Sequence, residues 1–190
     1  MFVAHGKNLQ EARLAELFRC LDQDGFILTK ELIENEDFIH HCLVTMRAVA
    51  RTKRKEKIAI MAIALTNSLK PEYAEDRFEE LFSVVDDITL REFRALNLLA
   101  KYELSFPKLQ DKNALQRATQ FWADFTNDLR SEFGIEEDGC RDFLKRIERT
   151  GCYAEISGSY HDYSGGIGYL TSTYFEIENL CKTTRSKSNA

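Results

Sequence analysis

Apolar residues recur at three- and four-residue steps over most of this chain, the spacing of helices that each bury one face. Leu14, Leu17, Phe18 and Leu21 predict a helix over 9–21, with Asn8 as N-cap and Glu11 completing a capping box. A turn is expected at 22–25. Phe38, Ile39, Cys42, Leu43, Met46, Val49 and Ala50 draw one stripe and predict a second helix over 36–52. A third, over 54–69, is apolar almost all round between 58 and 65. Such a helix belongs in the middle of a bundle or at a contact with a second copy, most simply a two-fold homodimer. Pro71 ends it. Phe78, Leu81, Phe82 and Val85 mark a fourth helix over 72–85.

The pattern then restarts. Thr89 and Glu92 form a capping box opening a helix that runs to about 102, with Leu90, Phe93, Leu96 and Leu99 on its apolar side. After a loop at 105–107, Leu115, Ala118, Trp122, Phe125, Leu129 and Phe133 predict one long helix over 113–133, stopped by Gly134. Phe143, Leu144 and Ile147 mark a short helix over 136–150. Only then does the character change. Segments 152–156 and 167–170 are β-prone and flank a Gly-, Ser- and Tyr-rich stretch at 157–166, which reads as a hairpin with a long loop. Phe175, Ile177 and Leu180 carry a last helix, and a polar tail over 182–190 is expected to be disordered.

The fold class is therefore mainly α: an N-terminal helical bundle over 1–86, then a winged-helix-like unit over 87–181. That second part rests on the order helix, helix, helix, hairpin, helix. In winged helices the helix before the wing usually enters the DNA major groove. Here that helix offers Arg141, Lys145 and Arg149, four residues apart and so on one face, as a candidate DNA contact.

Charge argues against that role. The chain has a net charge of −5, and residues 86–181 hold 11 Lys and Arg against 17 Asp and Glu. The candidate recognition helix opens on Glu136, Glu137 and Asp138, and the hairpin has no Lys or Arg. Phosphate neutralisation dominates DNA affinity, so a solvated stripe is the favoured reading and nucleic acid stays an open partner. One cluster opposes the trend. Arg47, Arg51, Lys53, Arg54, Lys55 and Lys57 gather where the second and third helices join, with Glu56 alone against them. A solvated junction is the plain reading. The sharper one is a docking patch for an acidic partner, an anionic lipid surface or a nucleic acid.

Other constellations are weaker. Residues 20–31 follow the calcium-loop spacing at several positions, but Cys20 stands where a carboxylate is needed, so an ordinary interhelical turn is expected. Adjacent His40 and His41 point about 100° apart, and with Cys42 on the apolar stripe no zinc set converges. Ser159, His161 and Asp162 supply the residue types of a nucleophilic triad on a Gly-rich loop that cannot position them. Tyr153, Tyr160, Tyr163 and Tyr169 make the hairpin a second protein-contact candidate. No catalytic residue, metal or cofactor is assigned. Five scattered cysteines without a CxxC pair, an N-terminus without a signal-type apolar stretch and the lack of a run near the ~20 residues of a bilayer span lead to the expectation of a cytoplasmic protein with reduced thiols.

Two stretches, Asp37-Phe38 through Arg51-Thr52-Lys53-Arg54-Lys55-Glu56-Lys57-Ile58 to Asn67, and Phe78-Glu79-Glu80-Leu81-Phe82 with Asp87-Ile88-Thr89-Leu90-Arg91-Glu92-Phe93, together with Tyr169-Leu170-Thr171 entering a last helix, resemble the abortive infection alpha group of helical bacterial proteins. The resemblance covers most of the chain and implies a bacterial or phage-related setting and a role in antiphage defence. It carries no catalytic residues. The sequence as a whole suggests a non-enzymatic protein that works by binding other macromolecules, with a winged-helix transcriptional regulator as the alternative.

Overall fold

The computed structural model describes residues 2–73, 76–107, 113–136, 139–157 and 165–183. The chain divides into two compact units. One is Met1–Asp86 with Glu176–Ala190, and the other is Asp87–Phe175.

The first unit holds α1 (Phe2–Gln23), α2 (Lys30–Ile33), α3 (Glu36–Arg51), α4 (Lys55–Asn67), a 3-10 turn at Pro71–Tyr73 and α5 (Asp76–Asp87, its last residue counted with the other unit). Asn35 caps α3, its side chain accepting from the Phe38 N–H. Helices α1, α3 and α4 pack against one another. Their core is Leu17, Leu21, Phe38, Val49, Met61 and Leu65. Along α4, Ile58, Met61, Ala62, Ala64 and Leu65 are all essentially inaccessible. Ala59, Ile60 and Ile63 on the same helix are half-buried. From α5 come Phe78 and Phe82, stacked at 5.1 Å, and the buried His41 ring lies 4.2 Å from Phe78. A hydrogen bond between His40 and Glu79 at 2.7 Å and an ion pair between Arg51 and Asp86 at 2.8 Å join α3 to α5. The Asn67 side chain donates to the carbonyls of Leu180 and Lys182, and Arg77 pairs with Glu176, which ties the C-terminal segment into this unit.

The second unit holds α6 (Leu90–Ser105), α7 (Ala114–Thr119), α8 (Trp122–Phe133), α9 (Gly139–Glu148), β1 (Tyr153–Glu155), β2 (Gly168–Leu170) and the start of α10 (Ser172–Leu180). Helix α6 opens on the capping box legible in the sequence: the Glu92 N–H donates to Thr89 Oγ1 at 3.2 Å and the Thr89 N–H to Glu92 Oε2 at 2.9 Å. Helix α8 closes on Gly134 in the left-handed conformation, φ 59°. The strands pair antiparallel, Tyr153 with Leu170 and Glu155 with Gly168. The buried Tyr153 ring lies against Gly168, where a Cβ would collide with its hydroxyl and ring carbons. No other residue fits there.

Three sequence expectations are corrected. Asn8 does not cap α1; it lies inside a helix that begins at Phe2, and no proline interrupts residues 2–8. The fourth helix does not start at 72, because Pro71–Tyr73 forms a 3-10 turn and α5 begins at Asp76. The long helix expected over 113–133 is two helices. Phe121 breaks it, with φ −126° and ψ −4°, and buries its ring against Tyr102 at 5.8 Å and Phe106 at 5.3 Å. The break lets α7 lie against β2 while α8 packs on α6 and α9. The expected tail and most of the 157–166 loop, including Ser159, Tyr160, His161, Asp162 and Tyr163, lie outside the described residues. Among the described residues no helix is long and apolar enough to cross a membrane.

In the core of the first unit the Thr45 hydroxyl is fully buried and has no hydrogen-bond partner among the described residues. An unpaired buried hydroxyl costs about 1–3 kcal/mol. The near-isosteric Thr45→Val is therefore expected to raise stability by about 1 kcal/mol in urea unfolding; a loss of stability would contradict the assignment.

Candidate functional site

Helix α3 ends at Arg51, a favourable place for a cation because carbonyl dipoles converge there. Thr52 then turns inward. Its hydroxyl donates to the Ala48 carbonyl at 2.9 Å and its backbone N–H to the Val49 carbonyl at 3.0 Å. With Thr52 buried, Lys53 and Arg54 on the extended linker are left facing solvent. Arg54 occupies the N-cap of α4 and offers no side-chain acceptor to the first turn. Cations at 53, 54, 55 and 57 therefore stand at the positive end of a helix dipole, against the ordinary preference for acids, at a cost of about 0.3–1 kcal/mol each when exposed.

The six cations of this junction fall into two groups. Arg51 pairs with Asp86 at 2.8 Å, and Lys57 donates to the Asp86 carbonyl at 2.5 Å. Lys55 approaches Glu16 at 3.9 Å, but Glu16 is held by Arg19 at 2.6 Å, which keeps its carboxyl below the usual range. Arg47, Lys53 and Arg54 are exposed and form no ion pair with the described residues. The junction is thus a surface where positive charge is only partly neutralised.

Three cations on α9 or just past its end are in the opposite state, while the exposed Arg146 lies over the Phe143 ring at 5.3 Å. Arg141 pairs with Glu155 at 2.9 Å. Lys145 pairs with Glu148 at 2.7 Å and lies 3.9 Å from Glu155. Arg149 reaches Glu92 at 2.8 Å and Asp87 at 3.1 Å. The hairpin is fastened to this helix by the same carboxylates: Glu155 Oε1 also accepts from the Gly166 N–H at 2.8 Å. Gly165 and Gly166 adopt φ of 91° and 94°, and a Cβ on Gly165 would fall 2.6 Å from both Arg141 and Glu155. The triplet singled out as a DNA contact is engaged in holding the unit together.

Two buried carboxylates anchor that unit. Glu92 is 4% exposed. Burial raises its pKa, but Arg149 and the Thr89 N–H and hydroxyl outweigh that effect and leave it below its ordinary value. Glu103 is 8% exposed. Its Oε1 accepts from the Leu170 N–H at 2.8 Å and its Oε2 pairs with Arg117 at 3.2 Å. Arg117 in turn donates to the carbonyls of Glu103 and Phe106. Sequence reading missed this pair. The signal lay in the spacing: Glu92, Leu96, Leu99 and Glu103 follow one helical stripe, and a carboxylate on an apolar stripe needs a buried partner.

The other constellations disperse. His40 faces Glu79, His41 is buried against Phe78 and Cys42 is half-buried, so their polar atoms diverge. Burial pushes the Cys42 thiol up to about 11 and raises Cys152 and Cys20, which makes these poor nucleophiles at neutral pH. In the calcium-like stretch, residues 20–23 are the last turn of α1 and Lys30 and Glu31 already belong to α2. Among the described residues no group of three or more His, Cys, Asp or Glu could hold a metal ion.

No family model matches the chain, and no curated protein or solved structure matches it.

Because the folded pKa of Glu92 is depressed, its contribution is present above the unfolded carboxylate value, about 4.5, and is lost as pH falls through the lower folded value. Glu92→Gln is expected to cost about 1–3 kcal/mol at pH 7. It should also flatten the fall in stability below about pH 4.5, read by urea unfolding across pH; parallel pH profiles for the two proteins would refute the linkage.

Proposed function

We propose that this is a non-enzymatic binding protein that docks an acidic protein surface on the α3–α4 junction. The observation that carries the reading is the contrast between two cationic surfaces of similar composition. Arg141, Lys145 and Arg149 each have a carboxylate within ion-pair distance, whereas Arg47, Lys53 and Arg54 have none among the described residues. Exposed cations without an internal carboxylate, two of them (Lys53 and Arg54) at a helix start where they cost stability, are explained if an anionic partner supplies the missing charge. Arg is also well suited to planar, bidentate capture of carboxylates. The resemblance to abortive infection alpha proteins would place this docking in bacterial antiphage defence.

A winged-helix, DNA-binding reading of the second unit is kept as the alternative, favoured by the sequence of α8, α9, hairpin and α10. It would require Arg141, Lys145 and Arg149 to leave Glu155, Glu148, Glu92 and Asp87 for phosphates, which exchanges good ion pairs for others and weakens the net gain.

A labelled Glu-rich peptide and a DNA duplex, titrated by fluorescence anisotropy over a salt series, separate the two. The peptide is expected to bind with affinity that falls as salt rises, and the triple change Arg47→Ala, Lys53→Ala and Arg54→Ala should weaken it about tenfold or more. Changing Arg141 and Lys145 to Ala, which keeps the buried Glu92–Arg149 pair, should leave peptide binding intact. Duplex binding lost only in that second variant would overturn the ranking. Binding and stability are further expected to oppose each other at one position: Arg54→Asp supplies the missing N-cap acceptor and should stabilise the protein by about 1 kcal/mol while weakening peptide binding.

A further inference from the structure

The unit Asp87–Phe175 encloses a cavity of about 550 Å³ bounded by α6, α7, Phe121 and β2. Sites for small organic ligands typically measure about 300–1,000 Å³. Ala100, Ala118 and Phe121 on its wall are buried. At its mouth three large apolar side chains from separate elements stand in water: Leu104 is 79% exposed, Tyr169 40% and Phe175 42%.

The polar groups on the wall say what would fit. Glu103 and Arg117 are opposite charges that pair with each other, and they make further hydrogen bonds with the Leu170 N–H and with the Phe106 and Glu103 carbonyls. The Asn113 side-chain oxygen accepts from the Gln116 N–H. The wall is therefore electrically neutral, and its charged groups already have partners. An ion entering here would shed its hydration without meeting a counter-charge. A neutral apolar molecule would lose little hydration and would cover Leu104, Tyr169 and Phe175. Aromatic rings favour offset or edge contacts with other rings, and Phe121, Tyr169 and Phe175 supply three.

We propose that this cavity is a binding site for a neutral, largely apolar small molecule carrying an aromatic ring. The site lies wholly within one unit and is independent of the basic junction.

Two dyes with the same ring system make the test. N-phenyl-1-naphthylamine is neutral, and 1-anilinonaphthalene-8-sulfonate carries one negative charge. The folded full-length protein is titrated with each, following dye fluorescence. The neutral dye is expected to saturate at one per chain, and the sulfonate to bind about tenfold more weakly or worse. Ala114→Trp, a filling change at an exposed wall position, and Leu104→Glu at the mouth should each weaken the neutral dye by about tenfold while helical circular dichroism is unchanged. Absence of saturable binding, equal affinity for the two dyes, or binding untouched by both substitutions would overturn the proposal.

Discussion

Where a charge can find its counter-charge decides how this molecule is built. In the Asp87–Phe175 unit two carboxylates sit on the inward stripe of α6, and both would be ruinous there alone, since an unpaired buried charge costs several kcal/mol. Glu92 is satisfied by Arg149 and by the cap it shares with Thr89; Glu103 is satisfied by Arg117 and the Leu170 N–H. These contacts reach across 57, 14 and 67 residues. They fix α9 and β2 against α6, and so connect the parts of a unit whose apolar stripes alone would not specify an arrangement.

The same reasoning separates structural cations from available ones. A lysine or arginine next to a carboxylate is already used, and a partner must displace that carboxylate to reach it. On α9 this applies to Arg141 and Lys145, and just past its end to Arg149, but not to Arg146. At the α3–α4 junction it applies to Arg51 and only loosely to Lys55. Of the unneutralised remainder, Lys53 and Arg54 sit where helix electrostatics disfavour them, and they do so on a chain with a net charge of −5. Long-range attraction to an acidic partner would be weak for the whole molecule, so recognition has to be local, through Arg47 on α3 and two cations on a short extended linker whose first residue, Thr52, is fixed in the core.

Much of the helical framework was legible because it rests on short-range rules. The stripe through Phe38 and Val49, the box at Thr89 and Glu92, and the stop at Gly134 each report on their own turn of chain. What was not legible depends on tertiary choice. Residues 113–133 keep one helical spacing through Phe121, and only the rings of Tyr102 and Phe106 make a break there preferable to continuity. The junction was visible as a charge run, but composition could not say which of its six cations would find a carboxylate. Glu103 stands on the apolar stripe of α6, which signals burial, but its partners, Arg117 and the Leu170 N–H, come from α7 and β2 and carry no local signal. The cavity beside it is a product of that folding, assembled from alanines, a glycine and rings that carry no signal in sequence.

The central claim, that the junction holds positive charge without an internal counterpart, is tested most directly by the effect of salt on the isolated protein. Urea stability is measured from low to high sodium chloride for the natural chain and for the variant with Arg47, Lys53 and Arg54 all changed to Ala. Screening should relieve the mutual repulsion of these cations and stabilise the natural chain by more than the variant. Equal salt responses, or a larger one in the variant, would mean that these charges are already balanced within the fold.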